Sequence, residues 1–436
     1  MSSQPVGEAV VMEPGPAAPR PRRLLRSAII GTGFVGPFHV DAVRRGGYAE
    51  VVALAGSDPA RTAARARDLA IPLATTDVAR LLADPAIDVI HICTPNRTHV
   101  ELASAALEAG KHVVVEKPVA LNAVDAAELA ALARRLDRHA TVAFTYRGYP
   151  MVRRARGLVQ AGELGDLRLV HGEYIQDWLS EATDYNWRIE PEIGGASRAV
   201  ADIGSHWFDT IEFITGRRIE SVLADVATFV PRRRRPSGGG QAFVRADTPG
   251  EEVEIRSEDA ATILVRFEGG ARGACVVSQV SPGRKNGFEL ELAGSDATLD
   301  WAQEDPEHLW LRSRDESRLL TRGPADGPEP ETPGIPSLPA GHPEGWAEAL
   351  RDLLRPFYAA IVAGDRPVDP DQADVPYPTI EDGARAVAFV EASLASARDG
   401  RWTSISAARR PGSSGPGSKP KPSAGRSHDM GQKPRE

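Results

Sequence analysis

Between residues 24 and 120, short β-branched apolar runs alternate with stretches whose apolar residues recur at helical spacing. The runs are Ser27–Ile30, Val51–Ala55, Val89–Cys93 and His112–Val115; helix-like stretches fall at His39–Arg45, Val78–Leu82 and Thr98–Ala109. Such alternation predicts a parallel sheet with helices on both faces. A helix at Ala123–Leu136 and a strand at Thr141–Phe144 extend the unit. From Leu167 the texture changes to a longer series of strands: Leu167–Ile175, Ser221–Phe229, Asp259–Phe267, Ala271–Val280, Phe288–Ala293 and Ala297–Trp301. One helix, Asp202–Thr215, interrupts them. Arg232–Arg235 with Gly238–Gly240, and the proline-rich Gly323–Pro343, have the composition of inserted loops. Helices at Glu344–Ala363 and Thr379–Arg398 close the pattern. The expectation is an α/β domain over 24–145, then an α+β domain with a mostly antiparallel sheet over 146–402. Segments 1–23 and 403–436, rich in Pro, Gly, Ser and basic residues, are expected to be disordered ends.

Composition narrows the classes. The chain has 436 residues, 42% hydrophobic and 26% charged, enough for a sizeable core and against bulk disorder. No apolar run approaches the ~18 residues of a membrane span, and a net charge of −8 argues against nucleic acid as a partner. Two cysteines, Cys93 and Cys275, make no disulfide scaffold, which favours a reducing cytoplasm. Arg22-Arg23 precedes an apolar run, but that run is too short for an export signal and reads as the first strand. Only six lysines stand against 46 arginines, so a lysine kept within the folded part is a candidate for a role that arginine cannot fill.

Gly31-Thr32-Gly33-Phe34-Val35-Gly36 follows the first strand and opens a helix. The first glycine permits the tight turn, the second lets backbone approach a pyrophosphate, and the third packs helix on strand, with the helix N-terminus facing the phosphates. In this position the pattern points to a dinucleotide. The acidic residue expected about 20 positions on, which holds the adenosine ribose, is missing. The second strand ends Ala55-Gly56-Ser57-Asp58-Pro59, which puts Gly56 or Ser57 at the ribose position, and Asp58 before Pro59 looks like a helix cap. With no carboxylate to repel a 2′-phosphate, and Arg61 nearby, NAD and NADP both remain open.

Cys93-Thr94-Pro95-Asn96-Arg97-Thr98-His99 follows the third strand, Glu116-Lys117-Pro118 the fourth, and Asp202-Ile203-Gly204-Ser205-His206-Trp207-Phe208-Asp209 stands later. With the glycine turn, this set resembles the Gfo/Idh/MocA oxidoreductases over about residues 25–400. The resemblance implies a Rossmann domain followed by an open-faced sheet domain, assembly into dimers or tetramers through that sheet, and NAD(P)-dependent oxidation or reduction of a sugar, polyol or related alcohol. It implies Lys117, Asp202 and His206 as the catalytic group. The cofactor contacts expected with it are Gly31, Gly33, Phe34, Val35, Gly36, Ser57, Asp58, Thr94, Pro95, Asn96, His99, Glu116 and Lys117.

The chemistry stands without the family. Oxidising a secondary alcohol needs a hydride acceptor, a base and a donor for the developing alkoxide. An imidazole such as His206 titrates near neutrality and suits the base. Lys117 follows a parallel strand, where such sheets place ligands, and its ammonium suits the donor. Asp202 and His206, four apart, share one helical face with Asp209 a turn further on. That spacing also suits a metal pair or a surface ion pair, but no third ligand at matching spacing is present, so no metal is expected. His99 is expected to pack near the nicotinamide loop, and His91, His112, His139 and His171 to be structural.

Substrate contacts are expected from Arg147 and Tyr149 after the fifth strand, Trp178, Trp187 and Arg188, together with Lys117, Asp202 and His206. Polar groups beside indole rings suit the hydroxyls and flat C–H face of a sugar, although Trp178 and Trp187 would serve equally to fill a domain interface. Arg284-Lys285-Asn286, at a turn between strands, reaches either the pocket or a neighbouring subunit. The enzyme reading competes with a non-catalytic dinucleotide-binding regulator, and with a redox-neutral enzyme that recycles bound NAD(P). A sensor has no need of all three of Lys117, Asp202 and His206.

Overall fold

The computed structural model describes residues 23–236, 250–323, 338–368 and 375–405. Strands β1 (Leu25–Ile30), β2 (Ala49–Ala55), β3 (Leu73–Thr75), β4 (Val89–Ile92), β5 (His112–Val115) and β6 (Ala140–Val142) form one sheet in the order β3-β2-β1-β4-β5-β6. Every pairing in it is parallel. The covering helices are α1 (Gly36–Gly46), α2 (Pro59–Asp68), α3 (Val78–Ala83), α4 (His99–Glu108) and α5 (Ala123–Arg135). Asp58, Asp77 and Asn122 start α2, α3 and α5 by accepting the backbone N–H three residues on. The strand order reverses between β1 and β4, and it is outside the carboxyl ends at such a reversal that these sheets hold ligands.

Helix α6 (Pro150–Gln160) leads into the second domain, whose strands are β7 (Leu169–Ile175), β8 (Ile219–Ala227), β9 (Arg232–Pro236), β10 (Gly250–Glu254), β11 (Ala260–Phe267), β12 (Arg272–Ser278), β13 (Gly287–Ala293), β14 (Thr298–Ala302), β15 (His308–Arg312), β16 (Ser317–Thr321) and β17 (Thr403–Ser404). Nine of them form a sheet in the order β16-β15-β14-β13-β7-β12-β11-β8-β17, with β7–β12 the single parallel pairing. Along β11 burial alternates strictly, and on the outward face Leu264 joins Leu169, Val276 and Leu319 as exposed apolar residues. The inward face packs on α8 (Ser205–Thr215) and α10 (Ile380–Asp399). A short helix, α7 (Pro191–Gly194), precedes α8.

Three expectations change. Arg232–Arg235 is strand β9, paired with β10, because Arg233 is fully buried and donates to the carbonyls of Leu179, Glu181 and Asp184 and to Asp259. Thr403 and Ser404, placed at the head of the tail, pair with β8 instead. Helix α9 (Trp346–Ala363) returns to the first domain, where Leu350, Leu354 and Phe357 share a core with Val40, Leu54 and Val89. Gly238–Gly240, most of Gly323–Pro343, residues 1–22 and residues 406–436 lie outside the described residues.

Candidate active site

The glycine turn is dictated by space. Gly31 has φ +126°, and a Cβ there would lie 2.3 Å from the Cys93 carbonyl oxygen. A Cβ on Gly36 would lie 2.5 Å from the Gly31 carbonyl oxygen, so helix and turn close only on glycine. A Cβ on Gly33 would meet nothing within 4 Å, leaving the turn open in front of α1. Helix α1 begins without a side-chain cap or an acidic residue in its first turn, the setting in which helical N–H groups accept phosphate. These features fit a dinucleotide pyrophosphate. At the end of β2, Ser57 is exposed, whereas Asp58 is committed to the cap of α2, its Oδ1 accepting from the Arg61 N–H at 2.6 Å.

A cleft of about 420 Å3 opens beside the turn. Phe34, Val35, Glu116, Lys117 and Thr145 line it from the first domain; Tyr146, Tyr174, Gln176, Trp178, Arg188, Asp202, His206, Lys285 and Asn286 line it from the second, and Trp346 from α9. The chain segments that meet here are the parallel strand ends and a π-helical turn over Val200–Gly204 that runs into α8. Glu258 fixes that turn by accepting from Ser197 Oγ and from the backbone N–H groups of Arg198 and Val200.

Lys117 Nζ donates to the Asp202 carbonyl oxygen at 2.6 Å and to Oδ1 at 3.0 Å. Arg188 Nε donates to the same Oδ1 at 3.2 Å and Gln279 Nε2 to Oδ2 at 2.8 Å. Burial alone would raise the Asp202 carboxyl, but Lys117 and Arg188 hold it far below the usual carboxylate range. His206 shifts the other way: burial and then the Lys117 charge push its pKa well below the ordinary imidazole value, so the ring is neutral. Its Nδ1 is buried without a hydrogen-bond partner. The ring packs edge-on to Tyr146 with centroids 5.0 Å apart.

A ring of hydrogen bonds forms the opposite wall. Asn286 Oδ1 accepts from Tyr174 Oη at 2.7 Å and from Gln176 Nε2 at 2.8 Å, and its Nδ2 donates to Tyr146 Oη at 3.3 Å. Trp178 Nε1 donates to Gln176 Oε1 at 3.0 Å. Lys285 donates to Asp177 at the rim. Of the three described lysines, two line the cleft; Lys111 donates to the carbonyls of Asp84 and Ile87, a structural use.

Three expected substrate contacts do not line the cleft. On the turn Thr145–Gly148, Tyr146 faces it and Arg147 points away, into a buried pair with Asp209 and Asp382. Asp209 is therefore structural too. Tyr149 stacks behind Tyr146 at 5.7 Å, its hydroxyl accepting from Gln303. Trp187 lies under the Arg188 guanidinium at 4.5 Å. Thr94, Pro95, Asn96 and His99 build the loop after β4: Asn96 Nδ2 donates to the Gly194 carbonyl, and His99 lies between the carbonyls of Pro118 and Thr94, tying that loop to Glu116-Lys117-Pro118. Burial lowers the His99 pKa, against a role as a cationic acid. Tyr174 was missed as a contact, although it stands two residues before Gln176 at the end of β7 and shares its face. Nothing local marks Trp346.

Residues 25–144 match the family model described as an oxidoreductase family with an NAD-binding Rossmann fold, and residues 152–300 match the GFO/IDH/MocA C-terminal domain. Levoglucosan dehydrogenase of Pseudarthrobacter phenanthrenivorans is 30% identical over 330 residues, 74% of this chain and 83% of the relative. A solved structure of levoglucosan dehydrogenase in complex with NADH and levoglucosan superposes with a TM-score of 0.76 at 26% identity, covering 88% of this chain and 100% of the other. An inositol dehydrogenase homolog from Azotobacter vinelandii, solved with NAD+, gives a TM-score of 0.72 at 28% identity over 88% of this chain and 98% of the other.

Proposed function

The chain belongs to the Gfo/Idh/MocA family of NAD-binding oxidoreductases, and from that premise we propose that it moves a hydride between a nicotinamide cofactor and a secondary ring hydroxyl of an uncharged sugar, anhydrosugar or polyol. The convergence of Lys117, Asp202 and neutral His206 in a cleft walled by indole rings and amides carries this reading. The glycine turn and the N-terminus of α1 would hold the pyrophosphate. When bound, the nicotinamide supplies the hydride acceptor. A ring nitrogen of His206 takes the hydroxyl proton as the C–H bond gives up its hydride, and the Lys117 ammonium hydrogen-bonds the oxygen as it becomes a carbonyl. Asp202, held ionised, fixes Lys117 and keeps the imidazole basic enough to accept. The reverse sequence reduces a ketone.

The substrate class follows from the walls. Trp178, Trp346 and Phe34 offer flat apolar faces, while Gln176, Asn286, Tyr146 and Tyr174 offer donors and acceptors for hydroxyls. Absorbance at the nicotinamide band, read with 1,6-anhydrosugars, inositols, hexoses and glycosides against NAD and NADP, tests it. Turnover of one neutral cyclic polyol is expected; silence across the whole panel, with no nucleotide released on denaturation, would overturn the reading. The same panel settles the cofactor, since exposed Ser57 and Arg61 at the end of β2 are compatible with either dinucleotide.

Asn286→Leu is expected to raise KM about tenfold, because it strands the Gln176 amide donor and leaves the Tyr174 hydroxyl only Tyr146 as a partner, at roughly 1–3 kcal/mol. Unchanged KM would remove that wall from the substrate site. The outward face of the large sheet, with Leu169, Leu264 and Val276 exposed, is where self-association into dimers or tetramers would occur. Two free, buried cysteines suit a reducing compartment such as the cytoplasm. Among the described residues no helix is long and apolar enough to cross a membrane.

A further inference from the structure

Behind the cleft floor, a line of buried polar groups that neither the dinucleotide nor the proposed hydroxyl chemistry employs runs back from Glu116, itself an expected cofactor contact. His39 Nε2, on α1, donates to Glu116 Oε1 at 2.9 Å. His39 Nδ1 lies 2.9 Å from His91 Nδ1 on β4. His91 Nε2 is 2.6 Å from Tyr358 Oη on α9, and that hydroxyl is 2.8 Å from Ser27 Oγ on β1. His39, His91 and Ser27 are fully buried and Tyr358 is 3% exposed.

Proton counting restricts the line. Two facing ring nitrogens bond only when one carries a proton and the other does not. The carboxylate at the head accepts only, so His39 Nε2 carries a proton. In one arrangement His39 has both N–H groups, His91 accepts at Nδ1 and donates from Nε2 to Tyr358, and Tyr358 donates to Ser27. In the other, every bond beyond His39 Nε2 is reversed and His39 is neutral. Only the first gives the buried carboxylate a touching cation. The far end, Ser27 and Tyr358, is buried, so the line fixes a charge rather than conducting protons to solvent.

We infer that His39 is a positioning residue for the catalytic floor: an imidazolium that keeps Glu116 ionised and aimed at the cleft beside Lys117, its ring orientation locked by His91, Tyr358 and Ser27. This rests on the cleft being the hydride-transfer site proposed above. The charged and titratable groups around the line agree with it. Burial alone would lower the His39 pKa; the Cys93 sulfur would raise it only as a thiolate, and the Glu116 carboxylate raises it by its hydrogen bond and its charge. Burial pushes the Cys93 thiol up and leaves it protonated at neutrality, so Glu116 is the lasting counter-ion. His91 is driven down by burial and by the His39 charge, as an acceptor at Nδ1 requires. Glu116, which burial would raise, is drawn down by the hydrogen bond and charge of His39 and then by Lys117. At the far end Asp88 is the charge felt by Tyr358, whose hydroxyl burial keeps protonated.

Nitrogen-15 NMR of the intact, histidine-labelled protein with NAD tests this directly. One imidazole is expected to keep both nitrogens protonated between about pH 6 and about pH 9, and that signal should vanish in His39→Gln. A His39 ring that is neutral, or that titrates near the ordinary imidazole value, would overturn the inference. Glutamine can still donate to Glu116 but carries no charge. The kcat/KM–pH profile of His39→Gln, on whichever panel sugar is turned over, should therefore show an acid limb moved up by about one pH unit or more, as Glu116 begins to titrate. A profile that superimposes on the parent after scaling would also overturn it. If the variant does not fold, the NMR of the parent decides alone; if no sugar is turned over, the same spectrum separates failure of the proposed reaction from failure of this inference.

Discussion

Lys117→Ala is expected to lower kcat/KM by about 10³, while the Kd for NADH, read by nicotinamide fluorescence, moves by no more than a few-fold. The magnitude comes from two losses that overlap. Removing a preorganised donor from a developing oxyanion costs about 10²–10³. Disturbing the general base is worth on the order of 10²–10⁴, and the effects of groups acting as a unit do not multiply. Lys117 Nζ donates twice to Asp202, and its charge is the second cause, after burial, of the low His206 pKa. Its removal therefore leaves Asp202 to Arg188 and Gln279 and lets His206 take a proton more readily, spoiling the acceptor as well as the donor. Were Lys117–Asp202 an ordinary surface pair, the loss would be at most about 1 kcal/mol, under tenfold. A fall smaller than tenfold, or one traceable to lost NADH binding, would remove Lys117 from the catalytic group. Lys117→Arg keeps the charge but presents a planar fork in place of a compact ammonium, and recovery of most of the activity would assign the effect to charge alone.

The first domain was legible because its signals are local. A β-branched run, a glycine turn and an Asp-Pro cap each declare themselves within a dozen residues, and β1, β2, β4, β5 and α5 appear within a few residues of expectation. Strand β3, only Leu73–Thr75, and helix α2, rich in Arg and Ala, carry too little apolar pattern to show. In the second domain the misreadings share one cause. Arg-Arg-Arg-Arg-Pro reads as a solvated charge run, yet Arg233 is buried because its acceptors are Asp259 and loop carbonyls 26 and more residues away. Strands β15 and β16 mix polar and apolar residues without strict alternation and are held by their pairing partners. Lys117, Asp202 and His206, which meet in the cleft, were reached through their motifs, whereas beside Tyr146 the neighbours Arg147 and Tyr149 were preferred, and these do not line it. Choosing between Tyr146 and Arg147 requires knowing which way a short turn faces, and that depends on Asp209 and Asp382, 62 and 235 residues on.

That correction yields the second large effect. Arg147→Ala is expected to cost about 3–5 kcal/mol of stability while leaving KM for the sugar and kcat per folded molecule within a few-fold of the parent. The guanidinium is nearly enclosed and donates from Nε and Nη2 to both oxygens of Asp209 while bridging to Asp382 on α10. Without it two carboxylates face one another in a dry site, with Arg218 reaching Asp382 only at 4.0 Å. The pH dependence fixes the cause. Burial pushes the Asp209 carboxyl upward and Arg147 is the main force drawing it back; in the variant only the upward push remains. Asp209 is pushed up to about 7 even beside Arg147, and loss of the guanidinium raises it further, so the charge part of the deficit should be small near pH 6 and grow toward about pH 9. Chemical denaturation at both pH values measures it, and the double change Arg147→Leu with Asp209→Leu should recover part of the loss by removing the stranded charge. A deficit independent of pH would point to lost packing over Phe213, which the guanidinium also covers at 5.1 Å. A KM raised tenfold or more with stability intact would return Arg147 to the substrate site, from which the geometry excludes it.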